Sequence, residues 1–182
     1  MQLYSFFQIL FHLLTELFVT GTYSYSLLAN NSMVEVNKFL ESFFTRSNST
    51  TIQEWESNLP TQKEKDEMRE LVSFIYQLTT FDSLHDSLMD GYSSLKNYVT
   101  ISVVQGHFCV IHELIANETH RFPRMWGYTV IASKLWYQRP IHHSAAHFES
   151  DGEVCSQAAA LLESTKSRSL VVAGASRYAV IG

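Results

Sequence analysis

Three histidines and an acid fall close together late in the chain: His142, His143, His147 and Asp151. Neutral imidazole and carboxylate suit zinc, and a catalytic zinc typically keeps three protein ligands plus a water. Such a water becomes nucleophilic near neutral pH. His143, His147 and Asp151 recur at every fourth position and form the candidate ligand set, with His142 beside them to orient a ligand or act as general acid or base. The spacing is none of the sharp zinc signatures, for His-Glu-x-x-His and paired-cysteine motifs are both absent. Asp151 has a rival use at the head of a helix, as a cap or a partner of the helix dipole. Histidines in a surface loop need no ligand at all. Arg177 follows the small-residue turn Gly174-Ala175-Ser176. Its guanidinium has the fork to hold a substrate carboxylate in two bonds, or to make a plain surface ion pair. Ser144 and Ser176 are candidate nucleophiles, but neither sits in Gly-x-Ser-x-Gly. His112 and Glu113 are adjacent in a predicted strand, so they face opposite sides and do not easily share a ligand. His107 and His120 have no legible partner, and Trp126 and Trp136 read as core or rim.

The elements around these residues define an edge. Leu135 to Ile141 is a strand candidate, and Pro140 makes it an edge or an exit. Ser150-Asp151-Gly152-Glu153 has the form of a capping box, followed by Val154, Ala158, Leu161, Leu162 and Thr165 on one helix face. Leu170 to Ala173 is a short apolar run, as expected of a strand covered on both faces. Strand, helix, strand implies a right-handed parallel crossover. The histidine loop then leaves the carboxyl end of one strand, and Gly174 to Arg177 leaves that of its neighbour. Open α/β sheets hold their ligands at such an edge.

Upstream, the pattern is helical. Ser32-Met33-Val34-Glu35 and Thr61-Gln62-Lys63-Glu64 are capping boxes, and Thr51-Ile52-Gln53-Glu54 opens a short helix with Trp55. The charged run from Lys63 to Glu70 reads as a solvated face. Leu84, Leu88, Tyr92 and Leu95 predict a further helix, weakened by Gly91. From Tyr98 the period changes. Tyr98 to Val104 and Phe108 to Ile115 predict a hairpin turned at Gln105-Gly106-His107, and Gly127 to Ser133 predicts another strand. The expected fold is α/β: a helical region over 27–97, then a sheet region over 98–182 with mixed strands and one parallel crossover. The two regions form one domain. The chain stops soon after the last strand, so either the sheet is small or the domain is an incomplete piece of a longer protein.

The 182 residues carry 13 Lys and Arg against 18 Asp and Glu, with no basic run. Nucleic-acid binding needs clustered positive charge and is not expected. Leu3 to Val19 is nearly all apolar and is followed by small residues near Ser24 and Ser26. It is shorter than the roughly twenty residues of a spanning helix and carries Glu16, so residues 1–26 read as a signal peptide. The alternative is a buried amphipathic first helix. Export leaves a mature chain with no membrane segment. Three sequons, at Asn30, Asn48 and Asn117, suit a secreted glycoprotein. Cys109 and Cys155 either pair in an oxidising compartment or sit as two buried thiols.

From Trp126 to Arg177, under a third of the chain, the sequence resembles a group of secreted fungal and bacterial proteins of poorly defined activity. The shared pattern stands here as Trp126-Gly127, His142-His143-Ser144-Ala145-Ala146-His147, Asp151, Gln157-Ala158-Ala159 and Arg168 to Arg177. Ala146 stands where the pattern has proline. The same stretch is faintly similar to zinc amidohydrolases of the N-formylglutamate amidohydrolase type. That resemblance implies a zinc on His147 and nearby groups, a substrate carboxylate on an arginine, and hydrolysis of an amide bond in a small or peptide-like substrate. Further Glu and His ligands expected of such enzymes do not follow before the chain ends. A non-catalytic secreted glycoprotein or interaction protein is the alternative.

Overall fold

The structure is a computed structural model that describes residues 28–116 and 119–181. The expected signal peptide lies outside these residues, as does Asn117. Three capped helices come first: α1 (Met33–Glu41), α2 (Ile52–Ser57) and α3 (Gln62–Gln77). Their starts follow from sequence. Ser32 and Thr61 each accept the N–H three residues on while Glu35 and Glu64 reach back, so both capping boxes form. Thr51 caps α2 through the Glu54 N–H.

The helix expected around Leu84 to Leu95 is different. Only a 3-10 turn, Asp86–Gly91, forms between successive tight turns in which Leu84, Leu88, Tyr92 and Leu95 donate to carbonyls three residues back. The apolar side chains still pack inward. The Asp-, Ser- and Gly-containing links between them compete with regular helix, which is why the spacing survives and the helix does not.

Five strands follow: β1 (Val99–Val104), β2 (Phe108–Glu113), β3 (Tyr128–Ala132), β4 (Arg139–Ala145) and β5 (Ser167–Val172), with α4 (Val154–Ser164) between the last two. Their order in one sheet is β1-β2-β3-β5-β4. All neighbours are antiparallel except β4 and β5, which are parallel as the strand–helix–strand pattern predicts. The β1–β2 turn forms where expected, with positive φ at Gln105 and Gly106 and a His107 N–H bond to the Val104 carbonyl.

The sheet is covered on both faces. Met33, Val36 and Leu40 of α1 and Cys155, Ala158, Ala159 and Leu162 of α4 pack on Val104, Phe108, Val110, Val130, Leu170 and Val172. On the other face, Leu71 and Ile75 of α3 pack on Ile101, Cys109, Ile111 and Ile131. Each of these fully buried aliphatic side chains contributes roughly 1.5–3 kcal/mol. Cys109 and Cys155 therefore stand on opposite faces of the sheet, and both are free and buried. The disulfide alternative is corrected: the sheet itself separates the two thiols.

β4 is an edge strand, exposed for most of its length, and its register with β5 shifts between Arg139 and His142. Pro140 lies in that shift, where its missing N–H breaks no regular ladder. β5 is inside the sheet, but Val171 is half exposed, so its apolar run is not covered on both sides throughout. No helix among the described residues is long and apolar enough to cross a membrane.

Candidate functional site

The carboxyl ends of β4 and β5 open onto residues 146–153 and 173–181, joined by the Ala173 N–H to the Ala145 carbonyl. A third segment lies beside them. Thr45 and Thr50 form parallel bridges to Ala175 and Val180, so 45–50 runs along the C-terminal tail. Two glycines allow the tail to sit where it does. A Cβ at Gly174 would collide with the backbone of Gly127, and one at Gly127 (φ +87°) with the Val172 carbonyl and Gly174. The loop before β3 and the end of β5 thus touch backbone to backbone.

Two polar groups assemble on this edge. In the first, His147 Nδ1 donates to Asp151 Oδ2 at 2.7 Å, and Arg177 Nη2 stands 3.9 Å from Asp151 Oδ1. All three side chains are roughly half exposed. Asp151 is not a helix cap. The residue at the head of α4 is Glu153, which makes no side-chain capping bond, so the box expected at Ser150 to Glu153 does not form. The positive φ of Glu149 and Gly152 turns the chain so that Asp151 meets His147 instead. In the second group, Glu149 Oε2 accepts from the Ser47 N–H and hydroxyl at 2.8 Å each, and Ser47 Oγ lies 2.9 Å from Ser176 Oγ. Arg46 approaches Glu149 at 3.7 Å and lies over the Phe148 ring. Burial pushes the Glu149 carboxyl up, but the Ser47 bonds and Arg46 outweigh it and hold the group below its ordinary range.

The other sequence candidates are elsewhere. His142 and His143 are within β4, not in a loop, because the strand continues past Ile141. His142 Nδ1 meets Ser169 Oγ at 2.9 Å on the α3 face. His143 Nε2 meets Ser167 Oγ at 3.0 Å, and burial, with His142 nearby, lowers its pKa. His143, His147 and Asp151 are not gathered around one point in this arrangement. His143 is engaged by Ser167, and among the described residues no three His, Cys, Asp or Glu side chains are grouped to hold a metal. Ser144 is exposed, while Ser176 is buried and bonded to Ser47 rather than to a histidine. Asn30 and Asn48 are both exposed. His107 stacks on Trp136 at 5.0 Å, and burial lowers its pKa.

Sequence reasoning passed over Glu113. Its carboxylate is 1% exposed and accepts from three backbone N–H groups, of Arg124, Trp126 and Gly127. Burial pushes it up to about 7 against these donors and Arg124. His112 points away as predicted. It donates from Nδ1 to the Glu113 carbonyl and accepts the Ser102 hydroxyl, and burial pulls it down to about 4. Glu113 lines a cavity of 310 Å³ with Met68, Trp126 and Glu64. Glu64 corrects the reading of 63–70 as a solvated face, because it is 5% exposed and paired with Arg124 at 2.7 Å. Burial raises the Glu64 carboxyl, but Arg124 and Thr61 outweigh that and lower it overall. The available signal was an acid beside a histidine at the end of an apolar run, in the strand Phe108–Glu113, which is buried at every position. Comparison with family models, curated proteins and solved structures finds no match for this chain.

Proposed function

We propose that the protein is an exported relative of metal-dependent hydrolases acting on amide bonds, with its site at the carboxyl edge of β4 and β5. The observation that carries this is the line His147–Asp151–Arg177. A carboxylate on Nδ1 fixes the tautomer and leaves the Nε2 lone pair outward, the state of a general base. In that role His147 takes a proton from the water that attacks the carbonyl carbon, Asp151 steadies the imidazolium that forms, and His147 returns the proton to the amine nitrogen as the C–N bond breaks. Arg177 anchors a substrate carboxylate beside the amide bond. No step is assigned to a metal, since His143, His147 and Asp151 are not gathered around one point.

The test is hydrolysis of N-acyl amino acids by the purified protein, with and without added zinc. The expected result is turnover that falls about 10²-fold or more in His147→Ala, and a raised KM in Arg177→Ala. A zinc-bound form requires His143 to leave Ser167, and zinc titration of the wild type against His143→Ala reads that out. A wild-type protein inert to these substrates under both conditions sinks the proposal.

The second reading is a non-catalytic secreted glycoprotein. It is favoured by the exposure of Asn30 and Asn48, where glycans can be carried. It predicts glycans on both asparagines and no phenotype from the double substitution His143→Ala, His147→Ala.

A further inference from the structure

A second cavity, of 320 Å³, opens on the α3 face of the sheet beside the edge strand β4. Its volume is that of a small-molecule site. Its walls include Tyr76, Lys134, Tyr137, His142, Arg168 and Ser169, and among the described residues no acid lines it.

Arg168 makes this cavity unusual. It is 7% exposed, yet among the described residues no carboxylate pairs with it. Its Nη1 donates to the Ala132 carbonyl and its Nη2 to the Tyr76 carbonyl at 2.6 Å. Its guanidinium lies over two rings, 4.6 Å from that of Tyr76 and 4.5 Å from that of Tyr137. These contacts supply partial charges and ring quadrupoles, and no full counter-charge. A buried cation is normally paired, because taking it out of water alone is unfavourable. Lys134, exposed at the rim, adds a second positive charge to the same space.

The polar lining is ordered as a relay. Tyr76 donates its hydroxyl to Ser169 Oγ at 2.5 Å, and the serine hydroxyl is then free to donate to His142 Nδ1, 2.9 Å away. A neutral ring that accepts at Nδ1 carries its proton on Nε2, so His142 presents a donor. Cation, ammonium and imidazole N–H together are a donor set without an acceptor of full charge.

We propose that this cavity binds a small organic anion, with its carboxylate or phosphate head against Lys134, His142 and the Arg168 side and its body against Pro140 and Ile141. The site is separate from the His147–Asp151–Arg177 edge and does not depend on the hydrolase proposal.

The test uses the full protein and backbone amide NMR shifts, with benzoate, its uncharged counterpart benzamide, and inorganic phosphate as probes. Saturable binding of benzoate or phosphate, with shifts at Ser169 and His142 and none at Arg177, is the expected result. Which of the two binds identifies the head group. Lys134→Glu and His142→Gln, both at exposed positions, are expected to weaken that binding about tenfold. They keep the test open if Arg168→Met fails to fold. Equal binding of benzoate and benzamide, no saturable binding of either anion, or unchanged affinity in Lys134→Glu would each overturn the proposal.

Discussion

Glu113 and His112 are neighbours in β2, both buried and both far from their ordinary pKa, in opposite directions. Their effects on stability oppose each other. Between about 4.5 and 7 the folded chain keeps a proton on Glu113 that the unfolded chain releases, so this group makes stability fall as pH rises. Between about 4 and 6.5 the unfolded chain protonates His112 and the folded chain does not, so this group makes stability rise with pH. Each shift corresponds to about 3 kcal/mol at full extent. In the overlap the two slopes cancel. Urea unfolding across this range is therefore expected to be nearly flat in the wild type, falling with pH in His112→Gln and rising with pH in Glu113→Gln up to about 6.5. Parallel profiles in all three proteins would contradict the assignment. Glu113→Gln also leaves one of three N–H donors without an oxygen, so it lowers stability at every pH.

Among the elements, the loop before β3 is the one that ties the molecule together. Glu113 gathers its N–H groups from one side, and Gly127 meets Gly174 from the other. The same contact seats the tail that carries Ser176 and Arg177. Gly174→Ala is expected to cost about 1–3 kcal/mol, because the new Cβ meets backbone that cannot step aside. Gly106→Ala is the control: it has the same added methyl in open space at φ +71°, with a cost of about 1 kcal/mol from the left-handed turn alone. Denaturant midpoints of the two variants measure the difference. Equal losses would mean that the two backbones do not touch as described.

For the whole molecule, the sheet is a wall between two cores, and the cysteines report on it. Burial pushes both thiols up to about 12, so neither is a thiolate at neutral pH. A small thiol reagent is expected to label neither cysteine in the native protein and both after unfolding, and a reductant is expected to leave Tm unchanged. An intact mass two hydrogens lighter before reduction would refute the placement of Cys109 and Cys155 on opposite faces.

The starts of α1, α2 and α3, the hairpin, the parallel crossover and the edge character of the strand at Pro140 were legible in the chain because each rests on neighbours in sequence. A cap reads a residue three places on, a turn needs residues that accept positive φ, and burial of one face shows as a period. The site was legible only in part. His147 and Asp151 were expected together and are together, since four residues of turn are enough to join them. His142 and His143 were expected in the same loop, but β4 runs through them and each bonds a serine of β5 instead. That end point depends on pairing with β5, across a helix. Arg177 near Asp151, Ser47 near Ser176, and Arg168 over Tyr76 and Tyr137 are contacts between distant segments. No spacing encodes them. Local chemistry by itself determined most of the elements and the edge on which the candidate site lies. Only tertiary packing decided which histidines share that site, and that two buried ionisable groups, Glu113 and Arg168, lie outside it.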